Sequence, residues 1–269
     1  MKKPAITKFY AATMFGQVHA RSLAADGPET GAPLLCLHPA PSSGLYFETV
    51  MPLLNHGRRV IAPDYPGYGG SDRIEQPPVI ADYANAMLQL LEAAEIDGAV
   101  DILGFHTGCL VGTEIALISS PRVRRLVLCD VPYFEAEQRE GLHRQMAQPP
   151  GITTDLESIA PAWRFDIESR VDAVPLPRAF ELFAEHLRAG TRDFFGFAAA
   201  FSYDCEMRFS ALEADAVLLA TKSGLHEATA HAARAIAGAT LTDVPEVTTA
   251  VFELGAVAIA KRINEALAR

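Results

Sequence analysis

The 269-residue chain is 49% hydrophobic and 21% charged, a balance that supports a large core and argues against disorder. Its 23 Lys and Arg against 33 Asp and Glu leave a formal charge of −10, and no basic run occurs, which argues against a nucleic-acid partner. No apolar run reaches the ~18 residues of a membrane span, and Lys8 interrupts the stretch after the basic residues 1–3, so neither a membrane helix nor a signal peptide is expected. Cys36, Cys109, Cys129 and Cys205 form no CxxC pair and three sit in apolar runs; buried free thiols in a cytoplasmic protein are the reading. At about 150 residues per domain the length allows two domains, or one α/β domain with an insertion.

In chain order, residues 10–24 read as a hairpin with Gly16-Gln17 near its turn. Apolar runs at 34–37, 60–62, 100–103, 126–129 and 217–220 read as buried strands. Helical spacing lies between them. Tyr83, Met87, Leu90, Leu91 and Ala94 share one face, and a helix over 109–118 stops before Pro121. Residues 133–203 break this rhythm. Pro149-Pro150-Gly151, Pro161, Pro175 and Pro177 punctuate helical patterns at 178–189 and 192–202. Phe180, Phe183, Phe194, Phe195, Phe197 and Phe201 make the region aromatic-rich, either as further core or as a lid over an apolar pocket. A helix over 227–236 follows, then a last one with Leu254, Val257, Ala258, Ile263 and Leu267 on one face. The expectation is an α/β fold with a mostly parallel central sheet flanked by helices. Residues 1–132 and 204–269 form the core domain, and 133–203 a helical cap.

Gly104-Phe105-His106-Thr107-Gly108 stands between an apolar strand and a helix. Strand, Gly-x-X-x-Gly, helix is the setting of a nucleophile elbow, in which small residues let a tight turn pass and the central side chain stands clear. Three more segments accompany it: Phe15-Gly16-Gln17-Val18-His19, Leu37-His38-Pro39-Ala40-Pro41 and Asp64-Tyr65-Pro66-Gly67-Tyr68-Gly69-Gly70-Ser71-Asp72. In order and spacing these four resemble the α/β-hydrolase superfamily over nearly the whole chain. That resemblance implies the α/β-hydrolase fold with an oxyanion loop at 37–41. It also shows departures. The family's nucleophile is usually Ser, sometimes Asp or Cys, where this chain has His106. The family's acid follows the strand matched by 217–220, where this chain has Thr221-Lys222-Ser223-Gly224-Leu225-His226. The family's histidine precedes the last helix, where this chain has Val244-Pro245-Glu246-Val247-Thr248-Thr249. The complete Ser–His–acid arrangement is absent.

His106 is the expected centre, because a neutral imidazole is both a nucleophile and a base near pH 7. Asp130, where relatives with an alternative acid carry it, either orients His106 or caps the turn before Pro132. The Thr107 N–H at a helix start and the Ala40 N–H, at the family's donor position, are the expected oxyanion donors. His38 matches a loop histidine that is normally structural, Ser42 and Ser43 line the pocket, and His226 faces it or begins the next helix. Tyr203 and Asp204 close the insertion by bonding to the sheet. The histidines show no metal-ligand spacing and no Gly-rich phosphate loop follows the first parallel strand, so no metal and no cofactor are expected. The leading function is hydrolysis of a small apolar ester, thioester or other carbonyl compound through His106. The alternatives are a lyase or decarboxylase with His106 as acid–base, a catalytically silent protein that binds a small ligand, or a pseudoenzyme acting through its surface. A homodimer stays open.

Overall fold

The computed structural model describes residues 5–268; the basic residues 1–3 lie outside them. Eight strands make one sheet: β1 (Thr7–Thr13), β2 (Gly16–Leu23), β3 (Leu34–Leu37), β4 (Val60–Pro63), β5 (Val100–Phe105), β6 (Val123–Cys129), β7 (Ala216–Thr221) and β8 (Thr240–Val244). Their spatial order is β1-β2-β4-β3-β5-β6-β7-β8. The β1–β2 hairpin is the antiparallel edge, with β2 antiparallel to β4 and the remaining pairs parallel. β3, β4, β5 and β7 are buried at every residue, which is why they read as unbroken apolar runs rather than alternating ones.

Alternate residues feed two cores. Leu35, Leu37, Ile102 and Leu126 pack under α2 (Ile80–Ala93), α3 (Thr107–Ile118) and α9 (His226–Ala235). Leu34, Cys36, Leu103 and Val127 pack under α1 (Met51–Leu54) and α10 (Ala256–Leu267). All four cysteines are buried and unpaired. The last helix turns a different face inward than its spacing suggested. Leu254 and Val257 are 66% and 75% exposed, while Ile259, Ile263 and Leu267 are buried. β8 escaped the sequence reading because an edge strand that is half exposed carries no apolar run.

Between β6 and β7 lie α4 (Ala136–Met146), α5 (Ala160–Asp166), α6 (Leu176–Ala189) and α7 (Phe195–Phe201). The helix expected over 192–202 starts only at Phe195, after α6 has ended at Gly190, whose φ is +63°. Ile167, Val174, Ala179, Leu182 and Phe183 form a small core of their own, whereas Ala199 and Ala200 of α7 belong to the main core. Two latches hold this region over the sheet. Arg178 donates to the Leu45 carbonyl at 2.7 Å and to Glu253 at 2.9 Å. The Tyr68 hydroxyl accepts from the Gly196 N–H at 2.7 Å and donates to the Asp193 carbonyl at 3.0 Å. Tyr203 does not reach the sheet; its hydroxyl donates to Glu114 of α3, and Asp204 caps α8 (Cys205–Ser210).

The tightest packing lies under the elbow. A Cβ on Gly108 would sit 1.9 Å from the Leu37 carbonyl oxygen, whereas one on Gly141, in α4, meets nothing within 4 Å. Gly108→Ala is therefore expected to cost about 1–3 kcal/mol or more, and Gly141→Ala to stabilise by about 0.5–1 kcal/mol. Thermal unfolding followed by circular dichroism checks both; equal melting temperatures for the two variants contradict the packing argument.

Candidate active site

β5 delivers the elbow. After Gly104 and Phe105 the chain reverses into α3, and a Cβ on Gly104 would lie 2.7 Å from the Cys109 Cα. The turn therefore needs glycine on both sides of His106. His106 itself has φ +48° and ψ −117°, a conformation that costs a non-glycine residue about 1–3 kcal/mol. Its N–H donates to the Cys129 carbonyl at 3.3 Å and its carbonyl accepts from the Cys109 N–H at 2.8 Å. The imidazole stacks on Phe105, with centroids 4.0 Å apart. Among the described residues no group hydrogen-bonds to this ring. Burial, and then the Arg170 guanidinium, push its pKa down to about 4, so it is neutral at pH 7.

The residues expected around it fare differently. Asp130 lines the same cavity as His106 but makes no hydrogen bond to it. Its carboxylate accepts from the Thr221 N–H at 2.9 Å and from the Thr221 hydroxyl at 2.6 Å. Register explains this: Cys129 pairs with Leu219 on the neighbouring parallel strand, which brings the end of β7 alongside Asp130. Burial raises the Asp130 pKa in spite of the bonds from Thr221 and Ser223. The orienting role considered for Asp130 is thus replaced by a clasp between two strand ends.

His38 is fully buried. Its Nε2 accepts from the Tyr65 N–H at 3.0 Å and its Nδ1 donates to the Pro39 carbonyl at 2.8 Å. A backbone N–H can only donate and a carbonyl only accept, so both nitrogens are occupied and the ring is neutral. Burial lowers its pKa to about 4. His38 ties the two loops together and is not among the residues that wall the cavity over His106. Of the two positions open to His226, the structure shows the start of α9 at the surface, paired with Asp243 at 3.1 Å. Ala40 and Ser42 do wall the cavity, and Ser43 is buried as the cap of the turn Gly44–Phe47. The Ala40 N–H points at the Thr107 hydroxyl over a long 3.4 Å, and the Thr107 N–H, first in α3, has no acceptor among the described residues.

The cavity has two chambers, of about 90 Å³ and 240 Å³. They share Tyr46, Phe105, His106, Phe165 and Arg170. From the segment between β6 and β7 the lining comes from Phe165, Asp166, Arg170, Leu182 and His186 rather than from the six phenylalanines singled out in the sequence. His186 Nδ1 lies 2.6 Å from Asp166, and Nε2 lies 3.8 Å from Asp193. Burial disfavours its charge, but the two carboxylates outweigh burial and hold its pKa up to about 9. These cap residues come from separate segments and share no motif; the spacing of Asp166 and Arg170, one helical turn apart, was the sole local signal. Among the described residues no three His, Cys, Asp or Glu side chains converge as metal ligands do. Among the described residues no helix is long and apolar enough to cross a membrane.

Comparison with known proteins gives a consistent picture. The sequence profile of the alpha/beta hydrolase fold matches residues 32–170. A 2-hydroxy-6-oxo-2,4-heptadienoate hydrolase of Pseudomonas putida is 31% identical over 143 residues, 49% of this chain and 51% of that protein. A 2-hydroxymuconate semialdehyde hydrolase of a Pseudomonas species is 36% identical over 140 residues, 51% of this chain and 49% of that protein. The chain thus spans about half the length of the curated relatives it matches. Among solved structures, an E-2-(acetamidomethylene)succinate hydrolase superposes with TM-score 0.78 at 19% identity, covering 98% of this chain and 100% of that one. A hydrolase from Pseudomonas aeruginosa gives 0.76 at 23% identity, covering 97% of both.

The histidines facing the cavity make opposite contributions to stability. The His186 pKa is raised, so its stabilisation is complete below the unfolded value near 6.5 and disappears as pH rises through about 9. Urea unfolding is expected to weaken by about 1–3 kcal/mol across that window in the native chain and to stay flat in His186→Gln. A loss of equal size in both proteins refutes the assignment.

Proposed function

The chain belongs to the α/β-hydrolase fold family, and from that premise we propose that it hydrolyses a small carbonyl compound, an ester or thioester, with His106 in the place that other members give to serine. The observation that carries this reading is the neutral imidazole of His106. It is unbonded, raised on a strained elbow, and set beside the free N–H at the start of α3. A scaffold that merely lost its serine has no need to hold a reactive group in this conformation.

The chemistry follows from those groups. An imidazole nitrogen attacks the carbonyl carbon, and the oxygen takes up the charge near the Thr107 N–H, with the helix dipole behind it. The Ala40 N–H becomes a second donor once it leaves its long contact with the Thr107 hydroxyl. The intermediate collapses, the alcohol or thiol leaves with a proton, and an acyl-imidazole remains. Water adds to this activated acyl group, releasing the acid and regenerating His106. The acyl-imidazole is more electrophilic than an ester, so this step does not require the second histidine that the stretch 244–249 lacks. In this reading residues 133–203 are the cap, the partner is a small molecule and the protein works in the cytoplasm.

A second reading, a ligand-binding protein without turnover, is favoured by the engagement of Asp130 with Thr221 instead of His106. A panel of p-nitrophenyl esters separates the two, with a histidine-matched control protein subtracted for imidazole background. Native chain is expected to turn over, and His106→Ala to lose about 10²-fold or more. The dependence of kcat/KM on His106 should be flat down to about pH 4, where its neutral form is lost. Equal rates in native chain, His106→Ala and His106→Ser defeat the hydrolase reading.

A further inference from the structure

The segment between β6 and β7 brings to the elbow a guanidinium whose side chain makes no hydrogen bond among the described residues and whose one ion pair, to Asp166, is long. Arg170 ends the short turn Glu168–Arg170, and its side chain is only 18% exposed. It borders both chambers and is close enough to act on the imidazole of His106. The nearest carboxylate oxygen, on Asp166, is 3.7 Å away, and Asp166 is already held by His186 at 2.6 Å. Among the described residues no acceptor lies within hydrogen-bond distance of Arg170. The guanidinium lies over the Phe165 ring, 5.0 Å from its centroid, which sets its plane and leaves its N–H edges free.

A largely enclosed guanidinium whose nearest carboxylate lies beyond hydrogen-bond distance is open to an anionic partner. Its planar fork matches a carboxylate in two parallel hydrogen bonds. Thr248 and Thr249 also line the larger chamber, next to polar Ser169 and Ser223. The net charge of −10 would repel an anion at long range, so an acidic substrate needs a local cation to hold it.

We propose that Arg170 anchors the free carboxylate of an acidic substrate, a short-chain ester or thioester of a dicarboxylic acid, while His106 meets its reacting carbonyl. This rests on the hydrolase reading for the reaction but not for the binding. Two measurements keep them apart. Glutarate, which is unreactive, is titrated calorimetrically into the native chain, Arg170→Gln and Arg170→Lys, with Arg170→Met, which keeps the packing on Phe165, as the alternative should the Gln variant not fold. Native chain is expected to bind glutarate, Arg170→Gln to bind about 10- to 100-fold more weakly, and Arg170→Lys to fall between. In parallel, KM is compared for the p-nitrophenyl monoester of glutaric acid and for p-nitrophenyl valerate; the preference for the acidic ester should collapse in Arg170→Gln. Glutarate bound through Arg170 without hydrolysis of either ester supports the carboxylate site and overturns the hydrolase reading. Hydrolysis without any Arg170-dependent preference, or glutarate binding that is absent or indifferent to Arg170, overturns the carboxylate site.

Discussion

The candidate site depends on a buried carboxylate that does not line the cavity over His106. Asp64, fully buried at the end of β4, accepts four bonds: from the Gly44 N–H at 2.8 Å, the Gly70 N–H at 2.7 Å, Arg21 at 2.8 Å and His19 at 2.7 Å. Burial alone would raise its pKa, but these donors outweigh it and hold the group below the ordinary carboxylate value. Through them Asp64 fixes the loop after β3, the loop after β4 and the inner hairpin strand in one arrangement. Removing the carboxylate would leave a buried guanidinium without one of its partners, a loss of about 3–5 kcal/mol. His38 repeats the logic one residue further on, joining Pro39 to Tyr65.

On that frame the elbow can afford strain. His106 keeps an unfavourable backbone conformation because Leu37 and Cys109 close in on the glycines around it. Relaxation would push a loop that Asp64 and His38 already pin. The same enclosure disfavours charge on the half-buried imidazole and keeps it neutral at pH 7. A serine at this position would need a neighbouring histidine to become reactive; a desolvated imidazole does not.

The cap then sets the electrostatic character of the cavity. His106 and His186 are the same residue type facing the same space, yet one is driven down to about 4 and the other up to about 9. The difference is the company each keeps: Phe105 and Arg170 for the first, Asp166 and Asp193 for the second. With Asp130 engaged by Thr221 and Asp166 by His186, Arg170 keeps only a long 3.7 Å ion pair to Asp166 and its contact with the Phe165 ring.

The buried strands, the hairpin edge and the elbow were legible in the chain itself, because full burial, alternation and glycine spacing are local properties. The partner of Asp130 was not legible: only the register of β6 against β7 brings Thr221, 91 positions away, to its carboxylate. The surface placement of His226 and the structural bonding of His38 were decided in the same way, by which backbone groups the neighbouring elements present. Nor could the sequence reveal Phe165, Arg170 and His186 as the roof of the cavity, because they converge only when the cap folds back across the elbow. Local pattern determined the scaffold and the position of the elbow histidine; long-range packing decided the charge of that histidine and what faces it.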